Sequence, residues 1–172
     1  MPTIRQQLLI GAPAEKVYAA ITSREGLQAW WTPDSKAGAE LHSHARFEFA
    51  DGAFNEMEIT ELDPPRSVRW HCIDGIDEWV GTTLSFDLDA QKAGTVLRSH
   101  PEMKDQIEQQ ADSEDLTVLK FRHDDWKADT PMLAECSYTW GRFLRSLKLY
   151  CETGTGLPWP YQHRAERQLE TT

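Results

Sequence analysis

No apolar run in the sequence is longer than a few residues, far short of the roughly 20 that carry a helix across a bilayer, so no membrane span is expected. The first residues, MPTIRQQLLIGAPAEKV, lack a basic start followed by a long apolar stretch, so no secretory signal is expected there. Cysteine is scarce: three residues cannot make a disulfide framework. Cys136 and Cys151 fall on one helical stretch that separates them by ~22 Å, whereas a disulfide needs Cα atoms within about 7 Å. A reduced, cytoplasmic protein is the expectation.

Positive charge is also short. Eighteen Lys and Arg stand against 28 Asp and Glu, giving a net charge of −10 and a pI near 5.0. With no Lys/Arg cluster, nucleic acid and other phosphate-rich partners are excluded. There is no HExxH, no paired CxxC and no clustered third ligand beside His42 and His44, although alternation on a strand would put those two rings on one face. Neither a metal nor an organic cofactor is expected. The glycines of ETGTGLP follow a helix instead of opening one, so they make no phosphate loop. No repeat of solenoid length appears.

Tryptophan, in contrast, is abundant: seven in 172 residues, enough to build much of a single-domain core. Residues 3–10 read as a strand. Ala12-Pro13 opens a helix in which Ala14, Val17, Tyr18 and Ile21 recur at helical spacing. Ser23 is a candidate N-cap for a second short helix, REGLQAWW, which Thr32-Pro33-Asp34 stops. The period then changes to two. Residues 45–50, 54–62, 67–72 and 80–88 alternate, and Asp51-Gly52 marks a hairpin. Of the near-copies TVLR (95–98) and TVLK (117–120), the second is the better strand, in a run 117–123; the polar stretch 101–115 reads as an exposed helix or a mobile insertion. From 131 to 153 the helical period holds, with Cys136, Trp140, Phe143, Leu144, Leu147 and Cys151 in one stripe. The result is an α+β chain: an antiparallel sheet of about six or seven strands with one wet face, two short helices after strand 1, and a long C-terminal helix.

That order is a helix-grip arrangement. Three segments, IGAPAEKVYAAITSREGLQAWW (10–31), ITELDPPRSVRW (59–70) and ECSYTWGRFLRSLKLYCETGTGLPWP (135–160), make the chain resemble the START-like (SRPBCC) superfamily, in the branch named after the activator of the heat-shock-protein-90 ATPase. The resemblance covers most of 3–160 except an insertion near 95–116, and implies a single domain over 1–160; residues 161–172 read as a polar tail. It implies a sheet curved around the long helix, with an apolar cavity between them. Superfamily members include lipid carriers, polyketide cyclases and co-chaperone domains, so fold alone does not settle function.

Strand parity places Phe47, Phe49, Met57, Ile59, Val68, Trp70, Leu84, Phe86, Leu119 and Phe121 on the concave face. Trp140 and Phe143 face them from the long helix. Trp30 and Trp31 sit where the second short helix meets the sheet, either packing that hinge or lining the cavity mouth. His123 shares the parity of Leu119 and Phe121. It is the best inward polar candidate, to orient a ligand or act as an acid or base near neutral pH. The candidate ligand-binding set is therefore Trp30, Trp31, Phe47, Phe49, Met57, Trp70, Phe86, Phe121, His123, Trp140 and Phe143, with no assigned catalytic residue. The leading expectation is a non-enzymatic domain that binds a small hydrophobic or aromatic molecule. A cyclase-, hydrolase- or isomerase-type enzyme using the same pocket, and a chaperone-binding module, are the alternatives. Exposed edge strands also allow a homodimer.

Overall fold

In the computed structural model, which describes residues 1–38 and 40–165, the first strand is β1 (Ile4–Ile10). Pro13 N-caps α1 (Ala14–Thr22), whose buried face is Ala14, Val17, Ala20 and Ile21. Ser23 then caps α2 (Arg24–Trp30), its hydroxyl accepting the Gly26 N–H at 3.0 Å. Gly26 is needed because the helices approach closely there: a Cβ would lie 2.4 Å from the Ala20 carbonyl oxygen.

The remaining strands are β2 (Ser35–Ala37), β3 (His44–Glu48), β4 (Phe54–Asp63), β5 (Ser67–Gly75), β6 (Thr83–Lys92) and β7 (Asp115–Asp124). They form one seven-stranded sheet in the order β1-β7-β6-β5-β4-β3-β2, with every neighbouring pair antiparallel. The chain therefore meanders from β2 to β7, and β7 returns to pair with β1. Strand β2 was not expected from the sequence; three residues are too few for a readable alternation. At the β3–β4 connection Asp51 (φ 59°, ψ 32°) and Gly52 (φ 76°) are both left-handed, the geometry that lets an Asp-Gly pair close a hairpin. The strand stops at Glu48, before the expected Ala50, and leaves Phe49 half-buried beyond its end.

The segment between β6 and β7 contains α3 (Val96–Ser99) and α4 (Lys104–Gln109). TVLR is thus mostly helix, and TVLK is the strand, paired along its length with β1 and β6. The segment lies on the convex face, where Val96, Met103 and Ile107 cover Leu9, Leu116 and Val118. This small second core explains why β1 carries the continuous apolar run Leu8-Leu9-Ile10: the strand is covered on both sides.

The main core lies on the concave face, under α5 (Pro131–Thr153). Thr130 caps that helix by accepting the Leu133 N–H, and Gly154 ends it at φ 87°. Its stripe is buried at Trp140, Phe143, Leu144, Leu147 and Cys151, with Cys136 half-buried at the open end. Beyond α5 the chain turns back along it. The Leu157 N–H donates to Ser146 Oγ and the Trp159 N–H to the Trp31 carbonyl, both at 2.7 Å. Residues 166–172 of the expected polar tail lie outside the described residues.

Candidate functional site

The deep part of the grip is occupied by the protein's own aromatic rings. Trp31, at the end of α2, lies 5.8 Å from Trp30, 6.1 Å from Trp70, 5.2 Å from Trp140 and 4.1 Å from Phe47, centroid to centroid. Phe86 packs edge-on to Trp70 and Phe121, and Phe121 lies 4.5 Å from Trp140. Trp30, Phe47, Met57, Trp70, Phe86 and Phe121 are all at most 2 % exposed. Beside Leu27, Ile59 and Trp70 only about 10 Å³ is open. Each such ring pair adds about 0.5–1.5 kcal/mol beyond its buried area, so this cluster is primarily a source of stability.

His123 belongs to the same interior. It is fully buried on β7, enclosed by Trp79 and Trp126 at 4.6 and 4.7 Å. The Trp140 indole N–H can only donate, and it donates to His123 Nδ1 at 3.2 Å. Thr82 Oγ1 lies 2.9 Å from Nε2 and gives its own proton to the Trp79 carbonyl at 2.6 Å, so it accepts from Nε2. The ring is therefore neutral and protonated at Nε2. Burial drives its pKa down from 6.5 to about 3. Both nitrogens are consumed by structural partners, and neither is left to exchange a proton with a bound molecule.

An opening persists where the sheet and the first half of α5 diverge. A recess of about 200 Å³ has Trp31, Trp140 and Phe143 at its base and Phe49, Ile76 and Trp79 on the sheet side. Asn55, Cys136 and Thr139 contribute to its rim, and Trp159 and Gln162, from the segment after α5, complete it. Trp159 meets Phe49 edge-on at 5.9 Å. Among the described residues, no Asp, Glu, Lys or Arg lines this space. Burial raises the Cys136 thiol's pKa, with the nearby Trp79 N–H partly offsetting it. The Trp79 contact falls short of a full hydrogen bond, since Trp79 Nε1 has no partner within bonding geometry. A protonated thiol is a poor nucleophile, and burial pushes Cys72 to about 11 and Cys151 to about 12 as well. Larger depressions, of about 470 Å³ beside α1 and 520 Å³ between β1 and α5, mix apolar with charged and amide side chains in their walls.

Of the residues nominated from sequence, Trp31, Phe49, Trp140 and Phe143 line the recess, while Trp30, Phe47, Met57, Trp70, Phe86, Phe121 and His123 lie in the filled interior. Sequence reasoning did not nominate Asn55, Ile76, Trp79, Cys136, Thr139, Trp159 or Gln162. Most of these sit in connections or at element ends, where periodicity assigns no face; the unplaced tryptophans were the available signal. His42 turns to Glu58, 3.2 Å away, and among the described residues no group of three His, Cys, Asp or Glu could hold a metal ion. Among the described residues no helix is long and apolar enough to cross a membrane.

The family model described as activator of Hsp90 ATPase homolog 1-like protein matches residues 11–152. The solution structure of an Aha1 dimer from Colwellia psychrerythraea is 30 % identical, with a TM-score of 0.69 over 91 % of this chain and 100 % of that one. An Hsp90 activator from Plasmodium falciparum (15 % identity, TM-score 0.60, 89 % and 96 % coverage) and CalU16 from Micromonospora echinospora (16 %, 0.59, 88 % and 77 %) share the fold. No curated protein matches the chain.

Proposed function

The chain belongs to the activator of Hsp90 ATPase homolog 1-like family, and we propose that it binds a small, largely apolar molecule of about one aromatic ring in the recess, without catalysis. The observation that carries this reading is the recess itself: about 200 Å³, bounded by four tryptophans and with no charged side chain among the described residues that line it. A dry apolar cavity of about 150 Å³ suffices to hold benzene. A ring that buries roughly 200 Å² gains about 5 kcal/mol, a ceiling of about 0.2 mM that association costs weaken into the millimolar range. Against catalysis stand the locked tautomer of His123 and the protonated Cys136.

The test is a titration of the protein with toluene and phenol, read on the indole N–H resonances of Trp31, Trp79, Trp140 and Trp159. Native mass spectrometry of protein taken from cells would reveal a retained ligand. Saturable shifts at these indoles that disappear in Cys136→Phe, which fills the recess, support the proposal. No shift at millimolar probe overturns it.

A second reading is docking to the Hsp90 chaperone, favoured by the description of the Plasmodium protein as an Hsp90 activator. A pull-down with purified chaperone that leaves its ATPase rate unchanged would remove this reading. The Colwellia dimer supports a homodimer here too, and sedimentation would then give twice the 19.7 kDa chain mass.

A further inference from the structure

Part of the convex face of the sheet is left open. The segment between β6 and β7 covers Leu9, Leu116 and Val118, and at its margin Glu102 accepts the Gln7 side-chain N–H at 2.8 Å. Beyond that margin, strand pairing lines up side chains that lie far apart in the sequence. Arg5 on β1 stands directly opposite Arg122 on β7, and the same row continues through Ser85 on β6 to Arg69 on β5. The next row holds Gln7, Lys120 and Asp87. No run of Lys or Arg announces this cluster in the sequence, because each strand supplies only one or two of its members.

The arrangement is unfavourable for the fold. Residues directly opposite hold their Cβ atoms about 4.5–5.5 Å apart, and like charges there repel. Arg122 turns to Asp124 at 3.1 Å, and Arg69 to Glu61 at 3.2 Å. Arg5 and Lys120 are exposed and, among the described residues, neither has a hydrogen bond or an ion pair. A hollow of about 390 Å³ opens over Arg5, Lys120 and Arg122, with Asp87 the one carboxylate among the described residues that line it. A chain of net charge −10 has carboxylates to spare, yet it leaves these two cations unpaired.

We propose that this patch is a docking surface for an acidic, extended segment of a partner protein, whose carboxylates meet Arg5, Lys120 and Arg122. A guanidinium offers a planar fork to a carboxylate, and such charge-assisted pairs are stronger than neutral hydrogen bonds. Side chains two apart on an extended chain are ~7 Å apart, which is also the spacing of Lys120 and Arg122 along β7. A segment lying along that strand meets both with alternate residues, while Arg5 flanks Arg122 from β1. The cations span two rows only and are bounded by Asp87, Asp124, Glu61 and Glu102. The patch therefore suits two or three acidic side chains better than a chain with a phosphate at every residue. The assignment is independent of the recess, which lies on the other face of the sheet.

The probe is a capped hexaglutamate peptide, titrated into the full chain and read on the backbone amide resonances of Arg5, Gln7, Lys120 and Arg122. Hexaglutamine is the neutral control. Shifts at these amides should appear in about 50 mM salt, be absent with hexaglutamine, and vanish in about 500 mM salt. Arg5→Gln and Lys120→Gln should each weaken binding about tenfold, the worth of one charge-assisted pair. Arg5→Gln should also melt no lower than wild type, since it removes a repulsion and breaks no contact. Absence of shifts with hexaglutamate, binding undiminished in both variants, or a lower melting temperature for Arg5→Gln overturns the proposal. Equal binding of malonate also overturns it, by making the site one for small oxyanions. Tighter binding of a short single-stranded DNA, or self-association of the chain that Arg5→Gln removes, overturns it in favour of nucleic acid or a second copy.

Discussion

The burial of His123 makes the fold's stability depend on pH in a calculable way. In the unfolded chain the ring takes up a proton near pH 6.5, whereas in the folded protein it does so only near 3. Protons therefore favour the unfolded state throughout that interval. The stability associated with the neutral ring is complete above pH 6.5 and is lost progressively as pH falls toward 3. Each pH unit is worth about 1.4 kcal/mol, so about 2.7 kcal/mol is lost by pH 4.5. The perturbation that isolates this contribution is His123→Phe, which keeps a ring in the space but cannot titrate. That variant strands the buried Trp140 N–H and should be about 1–3 kcal/mol less stable than wild type at pH 7.5. Urea unfolding of both proteins by tryptophan fluorescence, from pH 7.5 to 4.5, should show the gap narrowing and the two curves meeting near pH 5. Carboxylate titrations are common to both proteins and cancel in the difference. Parallel stability curves would refute the reasoning, as would a His123 ring resonance that titrates above pH 5.

Three further outcomes follow from other contacts. Ser146 Oγ donates to the Trp30 carbonyl and accepts the Leu157 N–H, both at 2.7 Å, so Ser146→Ala should cost about 1–3 kcal/mol in denaturant melts and speed amide exchange at Leu157. Gln106 caps the free edge of β1, taking the Leu9 N–H at 2.9 Å and donating to the Gln7 carbonyl at 3.2 Å. Gln106→Leu should therefore produce concentration-dependent self-association in light scattering; a variant with the mass distribution of the wild type counts against the capping role. Gly26→Ala would force a Cβ to within 2.4 Å of the Ala20 carbonyl, and should lower stability by about 1–3 kcal/mol in a thermal melt followed by circular dichroism.

The fold was legible because periodicity is set by burial. Phe47, Met57, Ile59, Val68, Trp70, Leu84, Phe86, Leu119 and Phe121 all turn inward as alternation predicts, each at most 3 % exposed. The segment between β6 and β7 was harder to read because its anchorage to the sheet rests on Val96, Met103 and Ile107, scattered through a polar stretch at no single period. Parity placed His123 inside but could not reveal its role. Its hydrogen-bond partners are Thr82, in a connection, and Trp140, on another element, and only the tertiary fold brings them together. The recess was half legible for the same reason: the helix residues at its base have a face, while Ile76, Trp159 and Gln162 are placed by turns that carry no period.

The same constraint links the recess to the core. Trp31 and Trp140 each take part in both, one side facing the opening and the rest of the ring meeting Trp70, Phe47, Phe121 or the His123 nitrogen. A ligand resting on these rings touches side chains whose positions are already fixed by the interior, so little of its binding energy is spent ordering the site. By linkage, such a ligand raises the unfolding free energy by RT ln(1 + [L]/Kd), about 2.7 kcal/mol at one hundred times Kd. Its effect should therefore be readable as increased resistance to urea in the same tryptophan fluorescence transition. A probe that shifts the recess indoles without moving that transition at saturation would be binding the unfolded chain equally well, and would not be using the preformed base that Trp31 and Trp140 provide.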